Sequence, residues 1–88
     1  MHRAEVVVVN RLGLHARPSA RVTATASKFE SEVWLSRGAR RINAKSIMGV
    51  MMLAAGMGST LVIEADGPDE AEALEAMKTL IGSGFGED

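Results

Sequence analysis

Short strand-like and helix-like segments are interleaved along this chain of 88 residues in the order βαββαβα, and that order leaves few ways to fold. Ala4–Val9 is rich in β-branched valine and too short for a lone helix, so it reads as a strand. Asn10-Arg11-Leu12-Gly13 breaks it. From Pro18 to Phe29 apolar residues recur at three- and four-residue spacing, Ala20 and Ala24 and then Val22, Ala26 and Phe29, which predicts a helix. Pro18 suits the first turn of that helix and nowhere later. Glu32–Ser36 and Arg41–Ala44 predict two strands joined as a hairpin across Arg37-Gly38-Ala39-Arg40. Ser46 can cap a second helix, Ile47 to Ala54, closed by Gly56. Thr60–Ala65 sets Leu61, Ile63 and Ala65 against Thr60, Val62 and Glu64, the alternation of a half-buried strand. After the turn Asp66-Gly67-Pro68, a last helix is expected over Asp69 to Ile81. Asp69 and Glu70 suit its N-terminal dipole end, and Ala71, Leu74, Lys78 and Ile81 lie along one side beside Met77 and Leu80. Ser83–Asp88 is expected to be a mobile tail.

Four strands and three helices that must cover one sheet face give an α+β open-faced sandwich, its sheet four-stranded and antiparallel. Residues 1–88 are expected to form a single domain. A domain this small has one thin core and little room to enclose a ligand, so a partner met on an open surface is favoured over a pocketed substrate.

Composition narrows the function classes. The net charge is −1, with acidic and basic residues mixed along most of the chain, so the basic footprint of a nucleic-acid binder is missing. An RNA-binding module is suggested by the strand–helix order alone and needs stacking aromatics on its strands. Trp34 is the only strand aromatic. Cysteine is absent, which excludes disulfides and thiolate metal sites and fits a reducing compartment. The two histidines have no ligand partner at useful spacing, so neither metal nor cofactor is expected. No segment approaches the roughly 20 apolar residues that cross a bilayer, and the run Val6–Val9 is too short for a signal peptide. A soluble cytoplasmic monomer, not inserted in membranes, is the expectation.

Chemistry enters at Gly13-Leu14-His15-Ala16-Arg17-Pro18. A histidine just before a helix faces uncapped backbone N–H groups, a natural seat for an anion. Near neutral pH an imidazole of ordinary pKa, about 6.5, is mostly an uncharged nucleophile. Arg17 supplies a fork of donors matched to phosphate oxygens. Ala16 and Arg17 bring backbone N–H groups, and Gly13 and Ala16 leave the ring uncrowded. The arrangement suits a phosphoryl group carried on the imidazole. Set against this, a lone loop histidine is usually a solvated polar residue, and His-x-Arg is a short motif. His2 has no such surroundings and reads as an end residue.

The second informative block is Asn43-Ala44-Lys45-Ser46-Ile47-Met48-Gly49-Val50-Met51-Met52-Leu53. Capping alone explains Ser46; a phosphate on it would instead add about −1.5 to −2 charges at the helix start. The helix that follows is apolar nearly all round, so about half of it should be core. The rest should form an exposed, methionine-rich patch of the kind that docks partners. Gly49 inside that helix is explained either by a partner's close approach or by packing on the sheet.

These two blocks, with the spacing between them, resemble the HPr family, the histidine-containing phosphocarriers of the bacterial phosphoenolpyruvate-dependent phosphotransferase system. The likeness covers about Ala4 to Ile81, and it implies the same βαββαβα sandwich. It also implies that His15 accepts phosphate on Nδ1 from phosphorylated enzyme I and passes it to an EIIA-type protein. Arg17 then matches the phosphate-contacting arginine. Ser46 matches the regulatory serine of HPr kinase/phosphorylase in bacteria that have that enzyme. Ala16, Ile47, Met48 and Met51 match the docking surface beside His15. Such a protein is a stoichiometric carrier whose catalysis comes from its partners; a mainly regulatory protein signalling through phospho-Ser46 is the alternative. Ser19 stands where an alanine is common and Leu12 where sugar-branch members often carry a small polar residue, and Asn10-Arg11-Leu12-Gly13-Leu14 is similar to proteobacterial and nitrogen-branch (NPr) relatives.

Overall fold

The alternation in the last strand segment is realised at the centre of the sheet. The computed structural model describes residues 1–87 and contains β1 (His2–Val7), α1 (Ala16–Ala26), β2 (Glu32–Arg37), β3 (Arg40–Asn43), α2 (Ile47–Met52), β4 (Thr60–Asp66) and α3 (Glu70–Gly82), with a 3-10 turn at Gly84–Gly86. The sheet order is β1-β4-β2-β3, and every neighbouring pair is antiparallel. Register follows from the alternation: Val6 pairs with Leu61, Leu35 with Ile63 and Val33 with Ala65. The βαββαβα order and the open antiparallel sheet are those expected.

One face of the sheet is apolar and carries the helices. Val33, Leu35, Leu61, Ile63 and Ala65 are buried against Val22 and Ala26 of α1, Val50 of α2, and Ala73, Leu74, Met77 and Ile81 of α3. The other face is open and polar, and pairs across it tie neighbouring strands. The Arg41 guanidinium lies 4.2 Å over the Trp34 ring, and its Nε donates to Glu64 at 3.0 Å. Among the described residues, no helix is long and apolar enough to cross a membrane.

Element edges differ from expectation for local reasons. Regular pairing in β1 ends at Val7, but Val8 still exchanges backbone bonds with the Gly58–Ser59 turn, at 2.9 and 2.7 Å. Helix α1 starts two residues before Pro18 and stops at Ala26; its inward face is Pro18, Ser19, Val22 and Ala26, leaving Ala20 and Ala24 exposed. Helix α2 stops at Met52, short of the expected Ala54, which has left helical backbone at φ 51°, and two guanidinium groups from the hairpin satisfy the freed carbonyls. Arg40 donates to Met52 O, and Arg37 donates to Leu53 O at 3.0 Å. In α3 the buried stripe runs through Ala73, Leu74, Met77 and Ile81, and Ala71 faces solvent.

The segment expected as a mobile tail makes packing contacts. Phe85 is only 3% exposed, and its carbonyl accepts from Arg21 of α1. Phe85 sits at φ 60°, which costs a non-glycine residue about 1–2 kcal/mol. Burying a phenylalanine side chain is worth about 1.5–3 kcal/mol, so burial wins. Residues 83–87 therefore fold back onto α1; Asp88 lies outside the described residues.

Candidate functional site

The start of α1 is positioned by the turn before it. Gly13 has φ +66°, and a Cβ there would lie 2.3 Å from the carbonyl oxygen of Ala55, so only glycine lets the two backbones approach. Leu14 N–H donates to that same carbonyl at 2.9 Å, and its side chain enters the core. The chain is thus stapled to the segment after α2, and the next residue, His15, becomes the N-cap with extended backbone. Its ring makes no capping bond. Ser19 ties the first turn from within, donating through Oγ to Leu14 O at 3.1 Å.

The His15 ring is partly exposed and, among the described residues, has one hydrogen-bond partner: Nε2 lies 3.2 Å from Oε1 of Glu87. An ionised carboxylate can only accept, so Nε2 carries a proton, and whenever the ring is neutral it is Nδ1 that has the lone pair. Glu87 Oε1 also accepts from Nδ2 of Asn10 at 3.0 Å, while the same Nδ2 donates to Gly13 O at 2.8 Å. Glu87 is held below the usual carboxylate range, first by the Asn10 amide, then by His15, with the charge of Arg17 adding to both. It stays ionised beside the ring.

Arg17 is on the second turn-position of α1, exposed, and lines an open depression with Arg11, Leu12, His15 and Glu87. Ala16 is exposed at the first helical position. Two guanidinium groups and the N-terminal end of a helix therefore border one histidine. Against the single carboxylate of Glu87, those donors leave a surface able to receive an oxyanion. His15 and Arg17 are brought together as the sequence suggests. Arg11, Asn10 and Glu87 were not anticipated. Asn10 reads locally as a turn residue, and Glu87 is 77 positions away from it. The one available signal was Phe85, a large apolar residue that glycines on either side do not explain.

Ser46 stands apart from the depression, as the exposed N-cap of α2, its Oγ accepting from Gly49 N–H at 3.1 Å. Helix α2 packs against α1 and buries less than the expected half of its apolar residues: Val50 and the adjoining Leu53 are buried, while Ile47, Met48, Met51 and Met52 remain exposed, Met48 to 68%. Gly49 is explained by packing, because a Cβ there would come within 3.3 Å of Ile42 Cβ. His2 contacts Glu70, at the start of α3. Among the described residues no group of three His, Cys, Asp or Glu side chains is placed to hold a metal ion.

Comparison with known proteins agrees with this architecture. A family model described as the PTS HPr component phosphorylation site matches residues 2–83. The phosphocarrier protein HPr of Cupriavidus necator is 55% identical over 87 residues, covering 99% of this chain and 98% of that protein. HPr of Neisseria meningitidis serogroup A is 52% identical over the same length, with the same coverage. A crystal structure of HPr-C-His from Thermoanaerobacter tengcongensis superposes with a TM-score of 0.95 at 44% identity, covering 100% of this chain and 99% of that one. A match of this extent in both sequence and fold establishes that the chain belongs to the HPr family of phosphocarrier proteins of the phosphotransferase system.

Proposed function

We propose that this chain carries a phosphoryl group on Nδ1 of His15, taking it from phosphorylated enzyme I and giving it to EIIA-type proteins of the sugar or nitrogen branch. The observation that carries this reading is the His15 ring itself. Its Nε2 is engaged by Glu87, which in the neutral ring leaves the Nδ1 lone pair for bonding, and the ring makes no capping bond at the start of α1, beside Arg17. In the forward step the Nδ1 lone pair forms a bond to phosphorus. The bond between phosphorus and its donor atom breaks, and that electron pair returns to the donor. The Nε2 proton stays in place throughout. The phosphoryl oxygens then accept from the backbone N–H groups of Ala16 and Arg17 and from the Arg17 guanidinium. The helix end contributes about 0.3–1 kcal/mol and each charge-assisted bond about 1.5–3 kcal/mol, sums small enough to let the group move on.

Ala16, Ile47, Met48 and Met51 form the face on which partners dock, and catalysis comes from those partners, in the cytoplasm. Incubation with phosphoenolpyruvate and enzyme I should add one acid-labile phosphate. A His15→Ala variant should take up none; labelling at the wild-type level would overturn the reading.

A second reading rests on Ser46. Its hydroxyl is exposed at a helix start, where a phosphate added by HPr kinase/phosphorylase would keep the bond to Gly49 N–H while placing a dianion next to Ile47 and Met48. Ser46→Asp should slow transfer and weaken docking. Unaltered rates and affinities would remove Ser46 as a regulator.

A further inference from the structure

Glu87 and Asn10 form a polar bridge to His15 that joins the two ends of the chain, and it has a feature a merely structural bridge does not require. Asn10 is 1% exposed, and its Oδ1 is buried with no partner among the described residues, while both of its side-chain hydrogen bonds to them are made by Nδ2. Buried amides normally satisfy both ends. Here the amide orientation is dictated by its two acceptors, Gly13 O and Glu87 Oε1, at the expense of its own oxygen. Glu87 is fixed from its other side as well. Its backbone N–H donates to Gly84 O at 3.0 Å, and Phe85 is locked in the core two residues earlier.

We propose that Glu87, aimed by Asn10, is a positioning residue for phosphotransfer that holds His15 in the tautomer and ring orientation that present Nδ1 to the phosphoryl donor. A free imidazole partitions between two neutral tautomers, and only the one protonated on Nε2 can attack through Nδ1. A ring free to turn about its χ2 angle also presents the wrong nitrogen part of the time. A fixed acceptor 3.2 Å from Nε2 removes both errors. The contact survives the transfer: Nδ1 gains phosphorus, Nε2 keeps its proton, and the positive charge that appears on the ring faces a carboxylate. This proposal deepens the reading of His15 as acceptor and rests on it for the role of Nδ1.

The test uses the full chain labelled with 15N-histidine, read by NMR without phosphate and then by its rate of labelling from phosphorylated enzyme I. The wild type should show His15 as a single Nε2–H tautomer with a ring proton protected from exchange. Glu87→Ala should lose that protected proton and slow labelling about three- to tenfold, the range of one hydrogen bond. Glu87→Gln keeps an acceptor for both Asn10 and His15, and should recover the ring-proton signal and most of the rate. If Glu87→Ala retains the protected Nε2–H and the wild-type rate, the proposal is wrong. Normal labelling of His15→Ala would sink the acceptor reading instead, and the tautomer measurement distinguishes the two failures because it needs no phosphate.

Discussion

The entrances to α1 and α3 are built alike and used differently. Each begins with a glycine at positive φ pressed against a neighbouring backbone: Gly13 against Ala55, and Gly67 against Ser31, whose Cα would lie 2.6 Å from an added Cβ. Two residues later comes the N-cap, His15 in one case and Asp69 in the other. From there the chemistry diverges. At α3 the protein brings its own anions: Asp69 accepts from Glu30 N–H and Ser31 N–H at 3.0 and 2.9 Å, and Glu70 and Glu72 occupy the first turn. At α1 the first turn holds no acidic residue, the N-cap ring makes no capping bond, and Arg17 stands in that turn. One helix start is neutralised from within and stitches the fold together. The other leaves its positive end facing outward, and on the proposed function that end waits for a phosphoryl group.

Breaking the shared part should produce the largest effects. Gly13→Ala and Gly67→Ala each combine a strained φ with a backbone clash, and each should cost about 3 kcal/mol by urea denaturation. The pair also separates the two entrances. Per folded molecule, Gly13→Ala should slow phosphotransfer, because it moves the residue that seats His15, while Gly67→Ala should leave it unchanged. Equal rates in both would break the distinction.

Giving α1 the sign of α3 comes next. Arg17→Glu replaces a charge-assisted donor with a repelling anion and should lower the transfer rate about 100-fold, with thermal stability nearly unaltered. A loss under threefold would mean that the Arg17 guanidinium does not meet the phosphate.

The smallest effect belongs to acid stability. Glu70 is lowered from 4.5 to about 2, chiefly by His2, then by Gly67 N–H and the terminal amine. A depressed carboxylate contributes stability above its unfolded value and loses it as the pH falls through the folded one, here from about pH 4.5 to about pH 2. Glu70→Gln should therefore flatten the acid limb of a urea-midpoint-against-pH curve over that window and leave phosphotransfer at neutral pH intact. An unchanged acid limb would remove the carboxylate from the account.

What the sequence disclosed depended on the range of the interaction. Period-two alternation in Thr60–Ala65 and the β-branched run at Val6–Val9 are local, and they placed the sheet. His15 with Arg17 is local too, and so is the Ser46 cap. The stripes of α1 and α3 were centred wrongly because alanine fits either side of a helix: Ala20, Ala24 and Ala71 face water while Ala26 and Ala73 are buried. The folded-back end of the chain was legible only as the unexplained apolar Phe85. Glycines around Phe85 suggest freedom, and what removes that freedom is a set of partners, Arg21, Asn10 and His15, between 64 and 77 positions away.

The sheet order β1-β4-β2-β3 has a consequence for synthesis. Thr60–Asp66 is made after the other three strands, yet it lies between β1 and β2 and gives each its partner. A nascent chain still on the ribosome before that point can close the local β2–β3 hairpin, but has nothing against which to lay β1. Nor does it have the Phe85 anchor that brings Glu87 to His15. Chains that stop short of residue 87 thus contain His15 without its setting, and on the proposed function phosphoryl donors should meet a competent acceptor only once Glu87 has been added.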